Sequence, residues 1–348
     1  MIKKQSLKSI NLALQGGGAH GAFAWGVLDK LCEDGRLTVD GLSAASAGSM
    51  NAAVYSYGRM LGGLDGAREA LYNFWKDISN TGAQLNPIKP TWWEQFFGGW
   101  EYIDHSLSYI MFENFTKTFS PYEFNPFNFN PLRDVLSRHV NFDELKYCNS
   151  TRMFICATNV RTNKIKVFRN EEISCDAVLA SACLPMLFQA VEIDGEAYWD
   201  GGYMGNPALY PLVYHTKTED IAIIHINPIY REEIPKSSRA IFNRINEISF
   251  NSSLLREMRS INFVKKIVEN DWIKPEYRDH FHFTHLKMHS IRADDVTSDF
   301  SIGSKFSPDW QFLCHLRDRG REVARHWLSK NYEFIGVEST VDLSQEFS

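Results

Sequence analysis

Apolar positions recur along the chain with two periods. Ile10 to Gln15 is a short, almost wholly apolar run and reads as a buried strand. Gly16 to Gly21 form a tight loop. Phe23, Val27, Leu28 and Leu31 then recur at helical spacing over Ala22 to Glu33, and Gly35 supplies a stop. The motif repeats at once: Val39 to Ala45 reads as a strand and Ala47 to Leu61 as a helix rich in Ala and Met. Strand, turn of small residues, helix, twice in succession, predicts an α/β fold with a mostly parallel central sheet flanked by helices. The pattern resumes with strands at Arg152–Thr158 and Lys164–Arg169 and a helix at Asp176–Ala182 that stops before Pro185. Ile221–Ile226 is apolar enough for a parallel strand buried on both faces. Ser238–Asn270 predicts one long amphipathic helix or two. Phe281–Met288 predicts a late strand, and Pro308–Lys330 a last helix with Ser307 as its cap.

Residues 80–133 break this rhythm. Pro87, Pro90, Pro121, Pro126 and Pro131 alternate there with dense aromatics. The expectation is one domain over 8–335, with 80–133 as an inserted cap or lid, and a loose tail over 336–348. Inside the insertion, helical spacing from Thr91 to Trp100 would put Trp92, Trp93, Phe96, Phe97 and Trp100 on one side. Such a face suits a water–lipid boundary or an ordinary core cover. It carries no Lys or Arg, which argues against docking on anionic lipid.

Composition narrows the function classes. At 348 residues, 44% apolar and 23% charged, the chain is globular and long enough to bury a large core. A net charge of −5 argues against a nucleic-acid partner. The six cysteines contain no C-x-x-C pair, so they read as reduced thiols rather than a metal ribbon or redox motif. Met1–Asn11 has lysines but no apolar stretch behind them, and Ala177–Val191 is too short to span a bilayer. These features predict a cytoplasmic location, with peripheral membrane contact left open. No metal or other cofactor is called for.

Three segments carry candidate chemistry. Gln15-Gly-Gly-Gly-Ala-His-Gly21 lies between a strand and a helix, where successive backbone N–H groups and the helix N-terminus favour an anion. That anion could be a bound phosphate or a developing oxyanion. Gly16, Gly18 and Gly21 also fit G-x-G-x-x-G, and Asp40 stands at the spacing a dinucleotide ribose wants, although at the start of its strand. Ser46 sits among small residues where a strand turns into a helix, as a nucleophile elbow requires. Ala44 and Gly48 flank it; a plain helix cap reads equally well, and Ser43 and Ser49 are rivals. Asp200 precedes Gly201 and Gly202 in what reads as a short loop, where a carboxylate could be held rigidly or simply close a turn. His225, His280, His282, His285, His289 and His315 leave open a Ser–His–Asp triad with a late histidine, or a metal site.

Taken together and in this order, the three segments resemble the patatin-like phospholipase family, bacterial branch, whose motifs are G-G-G-x-R/K-G, G-x-S-x-G and D-G-A/G. Leu12–Ala22, Ser120–Leu132 and Ala180–Phe188 add to the likeness. The resemblance implies a lipid acyl hydrolase working through a Ser–Asp dyad. Ser46 would be the nucleophile and Asp200 the base. Gly16, Gly17, Gly18 and Ala19 would form the oxyanion hole, and His20, Gly21, Ala44, Gly48, Gly201 and Gly202 the supporting motif. The implied partner is a lipid or fatty ester. Two positions depart from the pattern: His20 stands for Arg or Lys, and Ala44 for Gly, which leaves a catalytically weak lipid-binding protein as the alternative, beside a dinucleotide-binding enzyme using Gly16, Gly18 and Gly21.

Overall fold

The computed structural model describes residues 7–85, 107–274, 276, 285–297, 300 and 303–347. Its centre is an eight-stranded sheet flanked by helices. The strands are β1 (Lys8–Leu14), β2 (Leu37–Ala45), β3 (Arg152–Asn159), β4 (Ile165–Arg169), β5 (Val191–Ile193), β6 (Glu196–Asp200), β7 (Asp220–His225) and β8 (Lys287–Arg292). The order is β5-β6-β3-β2-β1-β7-β8, with β4 also on β3. β3, β2, β1, β7 and β8 run parallel; β4, β5 and β6 pair antiparallel.

Alternation along the inner strands feeds two cores, because successive side chains leave a strand on opposite faces. Leu12, Leu14, Ala222 and Ile224 pack into one core, and Ala13, Ile221 and Ile223 into the other. The first core is closed by α1 (Gly21–Asp34), α2 (Ala47–Leu85, bent at Gly62 and Gly63) and, from the chain's far end, a helix at Trp310–Asn331. That helix and α1 touch backbone to backbone. A side chain at Gly26 would run into the carbonyl of Arg317, and one at Gly320 into that of Phe23.

Between α2 and β3 lie α3 (Leu107–Thr118), α4 (Pro121–Phe124), α5 (Pro131–His139) and α6 (Phe142–Leu145). α5 starts at a proline, with Asn130 accepting from Leu132 N, and Val135 and Leu136 bury its inner face. The aromatic run at 91–100 lies outside the described residues. α7 (Cys175–Ser181) and α8 (Tyr210–His215) precede α9 (Ser238–Glu269), a single long helix. α10 is a single turn (Asp294–Thr297). The helix at Trp310–Asn331, α11, is capped by Asp309 rather than Ser307.

Three expectations change. β5 and β6 lie where the sequence suggests only a loop, because three- and five-residue strands show little periodicity. The last strand begins at Lys287, six residues beyond the expected start; residues 281–284 are outside the described set. The tail is not loose: Val341, Leu343 and Phe347 are buried in the second core against Leu254, Met258 and Ile261, and α12 (Leu343–Glu346) is capped by Asp342. Three isolated apolar residues show no period, so only their tertiary partners order them. All six cysteines are free. Among the described residues no helix is long and apolar enough to cross a membrane.

Candidate functional site

The site follows from how three strands share one edge. β2 pairs with β3 as far as Ala45–Cys156, and β6 pairs with the next residues of β3, beginning at Asp200–Ala157. β4 pairs with Phe154–Thr158, overlapping both, so it takes the other edge. β2 runs parallel to β3 and β6 antiparallel. They therefore meet C-terminus to C-terminus, and the residue after β2 faces the end of β6. Those residues are Ser46 and Asp200.

Ser46 turns at φ 53°, the left-handed region that a residue with a Cβ normally avoids. Its N–H donates to the carbonyl (3.1 Å) and Oγ (2.9 Å) of Ser181, and its carbonyl accepts from the Ser49 hydroxyl. These bonds hold a turn costing about 1–3 kcal/mol to adopt. The neighbouring glycines answer to close approach: a Cβ at Gly48 would lie 2.5 Å from the Leu14 carbonyl oxygen, and one at Gly21 2.8 Å from the Ala47 Cβ. Ala44 is buried in the core between Leu14 and Ile155, which absorb its methyl group. Ser43 and Ser49 spend their hydroxyls on the Ala208 and Ser46 carbonyls.

Asp200 is fully buried. Its Oδ1 accepts from Gly202 N (2.7 Å), its N–H donates to the Cys183 carbonyl (2.8 Å), and its own carbonyl accepts from Thr158 Oγ1 (2.8 Å). Its Oδ2 is buried without a partner of good geometry. Burial pushes the Asp200 pKa up to about 6, against the opposing pulls of the Gly202 N–H, the nearby Ser46 hydroxyl and Lys305. Gly201 is held against Cys156, where a side chain would strike the carbonyl, and Gly202 against Phe250.

In the glycine loop, Gly17, Gly18 and Ala19 line a cavity of about 420 Å³ together with Ser46. Gly18, at φ +59°, has the positive φ that favours glycine. Gly16 does not line the cavity. Its N–H donates to Asn206 Oδ1 (2.7 Å), its carbonyl accepts from Asn227 Nδ2 (2.9 Å), and a Cβ there would lie 2.5 Å from that of Ser46. Gly16 is thus a packing and anchoring position, and the N–H expected for an oxyanion is already engaged. His20 is buried, its Nε2 bonded to Ser304 Oγ (2.7 Å), its ring against Phe300 and Phe312. Burial, reinforced by Lys305 and Arg231, lowers its pKa well below 6.5, so it carries no charge near neutrality.

The cavity is mostly apolar, with Trp75, Ile78, Leu132, Val135, Leu187 and Phe188 in its wall. Phe112 of α3 and Pro131 of α5 reach it from the insertion. The chain between them exposes Phe115, Phe119, Tyr122, Phe127 and Phe129, with Phe127 94% exposed.

The alternatives fare differently. Asp40 Oδ2 accepts from Lys217 N (2.8 Å) and Thr218 N (3.2 Å), at the end of β2 away from the glycine loop, so it is not placed for a ribose. Neither His225 nor His289 is a partner of Asp200. His225 is fully buried against Phe347, and His289 bonds Asp220 and Thr340. His280 and His282 lie outside the described residues. Among those residues, no group of three His, Cys, Asp or Glu could hold a metal. Sequence reasoning missed Lys305, Asn206, Asn227 and Ser181. Ser181 was visible as a hydroxyl in an apolar run, and Asn206 lies just beyond the D-G-G turn. Nothing near Lys305 or Asn227 marks them.

Among solved structures, VipD from Legionella pneumophila is similar at 14% identity and a TM-score of 0.40, over 95% of this chain and 72% of that one. ExoU from Pseudomonas aeruginosa, in complex with SpcU, is similar at 14% and 0.35, over 94% of this chain and 53% of that one. The chain thus spans about half the length of ExoU. Likenesses at this level carry no argument about the site. A comparison with curated proteins finds no match. The family model described as patatin-like phospholipase matches residues 12–213, more than half of the chain and all three motif segments. The chain belongs to the patatin-like phospholipase family.

Proposed function

We propose that this protein hydrolyses carboxylic ester bonds of lipids as a phospholipase A or lysophospholipase, with Ser46 as nucleophile and Asp200 as base. Family membership supports lipid ester hydrolysis. What supports the finer reading is the end-to-end meeting of β2 and β6 on β3, with a strained serine that lines the cavity next to a buried, under-bonded carboxylate.

In this reading, Ser46 Oγ attacks the ester carbonyl carbon and its proton passes to Asp200 Oδ2. The carbonyl π electrons move onto oxygen, and the oxyanion is met by N–H groups of Gly17, Gly18 and Ala19. Collapse expels the alcohol portion, which takes the proton back, and leaves an acyl group on Ser46. Water repeats the sequence and releases the fatty acid. A carboxylate raised to about 6 is a better proton acceptor than an ordinary aspartate yet stays ionised at neutral pH. The apolar wall suits an acyl chain, and the exposed aromatic lip suits the surface of a lipid aggregate, so we include peripheral membrane contact in the proposal.

The test is labelling by a fluorophosphonate probe together with turnover of phospholipid vesicles. Wild-type protein should label and release fatty acid, and Ser46→Ala should do neither. Equal labelling of the two would sink the assignment.

A further inference from the structure

We propose that Lys305 is the positioning cation of this site: it lends from the segment before α11 the positive charge that the glycine loop lacks, and so keeps Asp200 ionised beside Ser46. The inference rests on the Ser46–Asp200 reading above. Three observations carry it. Among the described residues lining the cavity, Lys305 is the charged one. Its backbone is locked to the glycine loop: a side chain at Gly18 would run into the Lys305 carbonyl. Its Nζ donates to Asn227 Oδ1 (2.8 Å), and Asn227 Nδ2 donates to the Gly16 carbonyl (2.9 Å), so the ammonium is tied to the residue packed against Ser46. The hydrogen bond goes to a neutral amide, which leaves the ammonium's charge uncancelled at that contact.

The charged and titratable groups facing Lys305 are Asp200 from β6, Glu247 from α9, Arg231 from the segment after β7, and His20 from the loop. Glu247 is held by Arg231 (2.5 Å) and Arg244 (2.9 Å), so much of its charge is shared elsewhere. His20 is neutral. Glu247 is still the stronger acidic neighbour of Lys305 and Asp200 the weaker, but Asp200 is the one beside the serine. Burial lowers the Lys305 pKa to about 8, with Glu247 and Asp200 opposing and Arg231 assisting the fall. A cation near a carboxylate favours its ionised form, so loss of the charge must raise the Asp200 pKa.

The experiment is the pH profile of fluorophosphonate labelling, an uncharged probe with no head group to bind. Wild type should label with an acid limb near pH 6. Lys305→Met should shift the acid limb upward by on the order of one pH unit, which slows labelling about fivefold at pH 6 and about twofold at pH 7. Lys305→Arg should keep the acid limb, since a guanidinium retains the positive charge throughout this range. A Lys305→Met protein with the wild-type acid limb overturns the proposal. Should that variant fail to fold, Lys305→Gln, which keeps an amide donor without the charge, decides it: an acid limb at the wild-type position overturns the proposal, and one moved upward supports it. Label that survives Ser46→Ala would instead bring down the reading underneath.

Discussion

Two aspartates are buried at opposite ends of the sheet, and they are treated differently. Asp220, at the start of β7, accepts from Gly336 N (2.7 Å) and His289 Nε2 (3.0 Å), and His289 Nδ1 bonds Thr340 Oγ1 (2.9 Å) beneath Trp327. Asp200, at the end of β6, has one N–H on Oδ1 and none of good geometry on Oδ2. The first cluster is closed by the tail and holds β7, β8 and 336–340 together. The second lies beside a serine in a strained turn, and that serine lines the cavity. Burial is the same; bonding differs. A buried carboxylate with donors from two other segments is a structural tie, whereas one left short of partners holds bonding capacity in reserve for a proton in transit.

That contrast is most severely tested by removing the nucleophile. Ser46→Ala should lower labelling and ester turnover by about 10⁴-fold or more, the scale of losing a catalytic nucleophile. The melting temperature should stay near wild type, since alanine at φ 53° is strained no more than serine. Asp200→Asn should follow with a loss of about 10²–10⁴-fold, the range for a general base. Single-turnover labelling measures both. A wild-type rate in Asp200→Asn would make Asp200 a structural tie like Asp220 and erase the distinction.

The opposite result is expected at the other pole. His289→Ala removes a fully buried ring and leaves Asp220 with one donor fewer, so it should cost about 3 kcal/mol or more of stability. Denaturant unfolding measures this. Labelling of the folded fraction should be unaffected, and a large fall there would tie the two clusters together. A smaller effect is read by pH. Labelling should drop about tenfold per pH unit below the Asp200 pKa near 6, because only the carboxylate accepts the Ser46 proton.

How much of this was legible in the sequence follows from what each feature depends on. β1, β3 and β7 announce themselves because burial on both faces demands largely apolar runs, and β2 by the turn of small residues that ends it. The three chemical segments are legible because tight turns need small residues wherever they occur. The tail and the two short strands are not, since partners distant in the chain order them. Lys305 is invisible for the same reason. It is one lysine in Gly303-Ser-Lys-Phe306, and only the folding of that segment onto Gly18 gives it meaning. Gly16 is the reverse case: the motif names it, but Asn206 takes its N–H.

The smallest expected effect is in stability, and its sign follows from the Asp200 shift. Burial raises the Asp200 pKa from 3.8 to about 6, so the folded protein binds its proton more tightly than the unfolded chain. Between these values the folded state carries more protons, and stability must fall as pH rises through the window. Above it, holding Asp200 ionised costs the fold about 2–3 kcal/mol, at about 1.4 kcal/mol per unit. Asparagine keeps the oxygen that accepts from Gly202 N and can donate its amide to Ser46 Oγ, with no charge to bury. Asp200→Asn should therefore be more stable than wild type at pH 7 by about 1–2 kcal/mol, less than the full cost because the amide must also be desolvated. The gain should vanish below the unfolded aspartate's pKa near 4, where both carboxyl forms are protonated. Paired urea titrations at the two pH values measure it. A variant less stable than wild type at neutral pH would mean that the Asp200 charge is compensated after all, as the Asp220 side chain is by its bonds.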